Sequence, residues 1–82
     1  MPDIAQVVFH ALSAQLSLTP EQVSQRAQED LGALGLDSHG LIRVLLEIEK
    51  ALGLARSLEL DDAALATPQS MLDGVRAVAG ST

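Results

Sequence analysis

The stretch LGLDSHGLIRVLLEIEKALG, residues 34–53, decides the fold, because it holds the strongest helix pattern of the chain. Its apolar residues recur at the three- and four-residue spacing of one helix face. Asp37 and Ser38 are both preferred N-cap residues, and Gly53 is a suitable C-terminal stop. The pattern predicts a helix over residues 38–52 and leaves open which of the two residues caps it. The predicted core face of this helix is Leu41, Val44, Leu45, Ile48 and Leu52.

Two more amphipathic helices are predicted, one on each side of this stretch. Residues 3–17 are predicted to form the first helix, because their apolar residues recur at helical spacing. Asp3 can cap this helix, and its negative charge suits the positive end of the helix dipole. The last helix is expected to begin with Thr67 as cap and Pro68 at its first position, and to end at Gly80. Its predicted apolar face is Met71, Leu72, Val75 and Val78.

The first connection carries a weaker helix signal. Thr19 is an N-cap candidate and Pro20 fits a first helical position, but few apolar residues follow. We expect one or two helical turns and then a long loop. Leu31, Leu34 and Leu36 are predicted to hold that loop on the core, because exposed leucines at this density would be costly.

The second connection is expected to hold one short element, a single turn capped by Asp61 or Asp62. The resulting architecture is an all-α four-helix bundle, with three long helices, one short helix between the last two of them, and a long first loop. Residues 1–82 are expected to form a single domain, with its core within residues 3–79 and a flexible tail at residues 80–82.

The composition excludes several classes of function. The 82 residues carry a net charge of −6 with scattered basic residues, whereas nucleic-acid binding needs a cationic stripe. The chain has no cysteine, which excludes disulfides and thiolate metal sites. Neither a signal-peptide pattern nor an apolar run of membrane-spanning length is present. We therefore expect a cytoplasmic, monomeric domain that binds neither nucleic acid nor membrane.

Catalysis and metal binding are both disfavoured by spacing. Asp37, Ser38 and His39 are the residue types of a hydrolytic triad, but adjacent side chains on a helix point about 100° apart. Residues 35–40 read G-x-x-S-x-G rather than the G-x-S-x-G of a nucleophile elbow. The two histidines, His10 and His39, have no metal-ligating partner at helical spacing. We expect no intrinsic catalysis and no metal.

Taken alone, Ser38 is most simply a helix cap, but the wider pattern resembles the acyl carrier protein family, which includes peptidyl carrier domains. The family pattern is a Leu/Gly-rich loop, Asp-Ser, and a helix that ends near Ile-Glu. The matching residues are Leu34, Gly35, Leu36, Asp37, Ser38, Ile48 and Glu49. The resemblance extends over the whole chain through its length, acidity, helix order and long first loop. It implies that Ser38, beside Asp37, carries a covalent 4′-phosphopantetheine derived from coenzyme A.

The resemblance also implies partners. In that family the second long helix is the main docking face for enzymes. The matching positions here are His39, Ile42, Arg43, Leu46 and Glu49. The expected partners are a phosphopantetheinyl transferase and enzymes that load or use the cargo, such as an acyltransferase, an adenylating ligase, a ketosynthase or a condensation enzyme. The alternative is that Ile42 and Leu46 simply pack on neighbouring loops. Glu47, Glu49 and Lys50 are expected to be solvated.

Two departures from the family pattern bear on the pathway. The pattern typical of carriers of primary fatty-acid synthesis is Asp-Ser-Leu at the attachment site, with an acidic residue at the position of Arg43 in this chain. This chain has His39 after the serine and a mild net charge for that group. We therefore favour a carrier of polyketide or nonribosomal peptide biosynthesis, including antibiotic biosynthesis. The alternatives are a fatty-acid carrier, a helical adaptor that carries nothing and, less favoured, a small hydrolase.

Overall fold

The computed structural model describes residues 3–54, 58 and 60–79, and the regular elements of this part are four α-helices. In chain order they are α1 (Ile4–Leu16), α2 (Pro20–Gln25), α3 (Ser38–Leu52) and α4 (Pro68–Ala79). No strand occurs in the part of the chain described, so the all-α prediction is confirmed. The predicted stop at Gly80 and the predicted tail lie outside the described residues.

Helix α1 organises the bundle, because it packs against α2, α3 and α4. Its start is capped by Asp3, whose carboxylate accepts a hydrogen bond from the Ala5 amide at 3.0 Å. Val8 and Leu12 are completely buried on its inner face. All four helices, the first loop and Leu58 of the second connection contribute to one core. The buried apolar residues are Val8, Ala11, Leu12, Val23, Leu31, Val44, Ile48, Leu58, Met71, Leu72 and Val75.

The short helix of the bundle is α2, and its predicted position between the last two long helices is wrong. A capping box begins α2: Thr19 Oγ1 accepts from the Gln22 amide at 3.1 Å, and Gln22 Oε1 accepts from the Thr19 amide at 2.9 Å. Val23 fastens this helix to the core. In the described part of the later segment a turn covers residues 62–65, and Asp61 accepts from the Ala64 amide at 2.8 Å, so the predicted single turn is confirmed but is not a helix. The capping box and the buried Val23 thus explain why the short helix forms at α2 and not in the second connection.

The long loop before α3 is fixed on the bundle by backbone as well as side chains. Leu31 is buried, and its amide donates to the Ala66 carbonyl at 2.8 Å. The Gln69 amide at the start of α4 donates to the Ala27 carbonyl at 3.0 Å. Leu34 and Leu36 are half-buried against the core, alongside Leu31. The prediction that leucines hold this loop in place is confirmed, so the residues just before α3 have a defined position.

The end of α3 depends on a left-handed residue. Gly53 has φ 64°, and its amide bonds to the Glu49 and Lys50 carbonyls, which closes the last turn. A Cβ on Gly53 would meet no atom within 4 Å, so only the backbone conformation disfavours a larger residue there.

We expect Gly53→Ala to lower the free energy of unfolding by about 1 kcal/mol, because an L-residue is strained in this conformation. Gly53→Asn should cost less, since asparagine adopts left-handed geometry more readily. Urea denaturation followed by circular dichroism measures both changes. Equal stability of the alanine variant and the native chain would contradict the cap assignment.

Candidate functional site

The start of α3 is fixed by Asp37, which settles the ambiguity over its cap. Asp37 has extended backbone geometry, φ −95° and ψ −179°, and its Oδ1 accepts a hydrogen bond from the Gly40 amide at 2.7 Å. Its carbonyl accepts from the Leu41 amide at 2.9 Å, as the first helical bond. The carboxylate also suits the positive end of the helix dipole.

Ser38 is therefore the first residue of the helix rather than its cap. The residue is exposed, and its hydroxyl has no hydrogen-bond partner among the described residues. Backbone amides of a first helical turn lack helical acceptors, and Asp37 occupies only one of them. The hydroxyl thus stands free beside unpaired donors and the positive helix end, which is a favourable place for a covalently added phosphate ester.

Gly40 lets the preceding loop close over the first turn of α3. A Cβ built on Gly40 would lie 2.9 Å from Leu36 Cδ1 and 3.1 Å from Asp37 Oδ1. Any side chain there would push against both the loop anchor and the cap. The sequence pattern did not single out this glycine, although a glycine inside a strong helix pattern is itself a sign of close packing.

The exposed side of α3 carries an apolar pair. Ile42 and Leu46 are 56% and 57% exposed, and they are the exposed large hydrophobic side chains within the described residues. His39 and Arg43 are exposed on the same helix. On the opposite face Val44 and Ile48 are completely buried. The predicted separation of an inner core face from an outer apolar strip is thus confirmed, and Ile42 and Leu46 are not covered by neighbouring loops.

Glu49 does not belong to this exposed set. It is half-buried, and its Oε2 accepts a hydrogen bond from the Leu58 amide at 3.0 Å. The prediction of a solvated Glu49 is wrong, because the Leu58 amide donates a hydrogen bond to its carboxylate. No local sequence signal shows this contact, since the partners are nine residues apart.

Among the shallow grooves of the described residues, two lie one after the other along the boundary between α1 and α3. One, of about 300 Å³, lies at the start of α3, and its lining is Gln15, Gly35, Leu36, Asp37, His39, Gly40 and Arg43. The other, of about 440 Å³, continues along the helix with Arg43, Leu46 and Glu47 on its α3 side. His39 and Arg43 therefore lie close together beside the cap of α3, where an approaching molecule can reach them.

The residues resembling a catalytic triad do not form one. The Asp37 carboxylate bonds to the Gly40 amide, and no hydrogen bond joins Ser38 to His39 among the described residues. The part of the chain that is described holds no group of three His, Asp or Glu side chains able to bind a metal ion. Nor does any helix in this part have the length and apolar character needed to cross a membrane.

Comparison with protein families agrees with the site's geometry. A family model described as a phosphopantetheine attachment site matches residues 6–75, which include α3 and the loop before it. The chain belongs to this family. It is a carrier domain of the acyl or peptidyl type, and its cofactor is covalently attached 4′-phosphopantetheine. No curated protein and no solved structure gives a significant match to this carrier.

Stability measurements on the unmodified carrier test whether Asp37, and not Ser38, caps α3. Asp37→Ala should lower the free energy of unfolding by about 1 kcal/mol, because it removes the cap, and Asp37→Asn should cost less. Ser38→Ala should change it by less than about 0.5 kcal/mol, because the hydroxyl has no partner to lose.

Asp62→Ala is the matched control, since Asp62 is exposed and makes no side-chain hydrogen bond in the described structure. Urea denaturation of the four variants gives the comparison. A large loss of stability in Ser38→Ala, with little in Asp37→Ala, would mean that the serine is the cap.

Proposed function

We propose that Ser38 is the residue to which 4′-phosphopantetheine is attached, and that the chain serves as a carrier of acyl or aminoacyl intermediates. The observation that supports this most directly is the cap assignment. Because Asp37 caps α3, the Ser38 hydroxyl is exposed and uncommitted at the helix start. Ser38 also lies inside the residues that match the attachment-site family.

In this proposal the chain's own residues position the Ser38 hydroxyl, and the catalytic groups belong to the transferase. In the loading reaction the Ser38 oxygen forms a bond to the phosphorus next to the pantetheine of coenzyme A. The phosphorus–oxygen bond to 3′,5′-adenosine diphosphate breaks, and the hydroxyl proton passes to a base of the transferase. The first-turn amides of α3 that lack helical acceptors would stabilise an anion attached at Ser38. Once attached, the cofactor supplies the thiol that holds acyl or aminoacyl groups as thioesters, which the cysteine-free chain itself lacks.

Incubation with coenzyme A and a broad-specificity phosphopantetheinyl transferase should add one phosphopantetheine to the chain. Intact-mass spectrometry measures the addition. Ser38→Ala should show none, whereas Ser24→Ala, which removes an exposed serine of α2, should be modified like the native chain. Absence of modification in the native chain would favour the helical adaptor over the carrier. Hydrolysis of a thioester by the unmodified protein would favour the hydrolase.

The proposed docking surface is the outer side of α3, with the exposed apolar pair Ile42 and Leu46 at its centre. His39 and Arg43 border this pair. Carrier domains of the family interact in general with phosphopantetheinyl transferases and acyl-handling enzymes. An apolar centre with a charged rim is the usual form of a specific protein interface. Glu49, predicted for the same surface, contributes less to it, because its carboxylate bonds to the Leu58 amide.

Leu46→Ala should raise the KM of the transferase for the carrier about fivefold, because we expect Leu46 to be one of the few central contacts whose truncation costs about 1 kcal/mol of binding. Its free energy of unfolding should change by less than about 0.5 kcal/mol, because Leu46 is 57% exposed. Arg76→Ala, on the exposed side of α4, is the control and should leave the KM unchanged. Equal KM values for the two variants would remove Leu46 from the docking surface.

For the pathway, we favour polyketide or nonribosomal peptide biosynthesis over fatty-acid synthesis. The support is Arg43, which is exposed. By the family resemblance, carriers of fatty-acid synthesis have an acidic residue at this position. Replacing a rim acid by a base changes which partner surface is complementary. Loading assays with purified adenylating ligases and acyltransferases, compared with a fatty-acid malonyl transferase, distinguish these pathways by which enzyme acylates the loaded carrier.

A further inference from the structure

The helix face that carries Ser38 is apolar for the next two turns. The residues three, four and seven positions after Ser38 share its side of α3, and they are Leu41, Ile42 and Leu45. Leu41 and Leu45 are half-buried and pack against the core, whereas Ile42 is 56% exposed. These three residues form an apolar patch with Ile42 as its exposed part. Because Ser38 is itself exposed, a group attached to its hydroxyl begins beside this patch.

The other side of the helix start has a different character. His39 and Arg43 are exposed there, and together with Asp37 they contribute to the groove between α1 and α3. These side chains are polar or charged, so they suit the phosphate of an attached group better than an apolar part of it. Within the first two turns of α3, the apolar patch is therefore the surface that an apolar part of the attached group can contact.

The phosphopantetheine arm has one apolar branch, a pair of methyl groups close to its phosphate. Four bonds separate the serine oxygen from the carbon that bears these methyl groups, which is about 5 Å at roughly 3.4 Å for every three bonds of an extended chain. Ile42 is four residues after Ser38, which corresponds to about 6 Å along the helix. Side chains of a helix also lean toward its N-terminus, so the Ile42 methyl groups approach the serine. The two distances thus match.

From this juxtaposition we propose that Ile42 is the contact site for the dimethyl group of the arm in the free, loaded carrier. The contact is favoured because it removes apolar surface of both groups from water. Leu46 is equally exposed, at 57%, but it is eight residues after Ser38 and thus about 12 Å along the helix, beyond the reach of the dimethyl group. Loading therefore covers Ile42 and leaves Leu46 open to the enzymes that act next. The inference rests on the attachment of phosphopantetheine at Ser38.

Isotope-filtered NMR of the loaded carrier tests the contact. The chain is labelled with carbon-13 and the arm is added from unlabelled coenzyme A, so nuclear Overhauser effects between the two identify the residues that the arm contacts. The dimethyl protons should show such effects to the Ile42 methyl groups and none to Leu46. Both side chains are exposed and lie outside the core, so truncating either should leave the fold intact.

The mobility of the arm gives a readout that a purely structural role of Ile42 would not change. Ile42→Ala should lower the transverse relaxation rate of the dimethyl protons at least about twofold, because the released group moves freely on the fast timescale that NMR reports. Ile42→Val keeps a branched apolar side chain and should retain most of the native rate. Leu46→Ala truncates an equally exposed side chain of the same helix and is the matched control, with no change expected.

A second measurement tests whether loading covers Ile42. A soluble gadolinium chelate relaxes methyl protons according to their access to solvent. Loading should reduce this relaxation at the Ile42 methyl groups at least about twofold, because groups in contact leave no room for the chelate between them. The relaxation at the Leu46 methyl groups should be the same before and after loading.

The outcomes separate the contact from the attachment itself. If the transferase does not modify Ser38, the carrier function fails and there is no arm to observe. If loading succeeds but the dimethyl protons show no Overhauser effect to Ile42, the contact is wrong and the carrier stands. The same conclusion follows if the chelate relaxes Ile42 equally before and after loading, or if Ile42→Ala and Leu46→Ala give the same dimethyl relaxation rate.

Discussion

The 2.7 Å hydrogen bond from the Gly40 amide to the Asp37 carboxylate determines most of what this chain can do. It sets the first turn of α3, and it gives the capping role to Asp37 rather than to its neighbour. Ser38 therefore presents a hydroxyl at a helix start without having to hold that start together. A serine that capped the helix would lose its acceptor geometry on esterification, so loading the cofactor would weaken the helix. The proposed attachment at Ser38 avoids that conflict, because Asp37 caps the helix.

The packing around α1 keeps this site independent of the core. Because α1 contacts all three other helices, the outer side of α3 is not needed for packing. Ile42 and Leu46 remain exposed while Val44 and Ile48 are completely buried, all on one helix of fifteen residues. Changes at these proposed docking positions should therefore alter partner choice at little cost in stability. That freedom allows a common carrier fold to serve different enzymes.

Sequence patterns predict the long helices well and the finer placements less well. Periodicity and Gly53 define α3, whose observed bounds agree with the prediction. The cap remained ambiguous because Asp37 and Ser38 have similar cap preference, and only the direction of the carboxylate distinguishes them. The short helix was misplaced because Asp61 also gives a turn signal, and it is tertiary anchoring that favours α2. The role of Glu49 depends on a contact between distant residues, which a periodic pattern does not encode.

Three faces of α3 thus have different roles. One face is buried and builds the core, and a second is exposed and apolar, as a docking surface requires. The third carries Glu49, whose carboxylate accepts a hydrogen bond from the Leu58 amide. A substitution at Glu49 consequently acts on the interior, whereas one at Leu46 acts on the exterior, although the two residues are only three apart. Positions three apart usually share a helix face, so it is the hydrogen bond of Glu49 to Leu58, and not helical spacing, that separates the roles of these two residues.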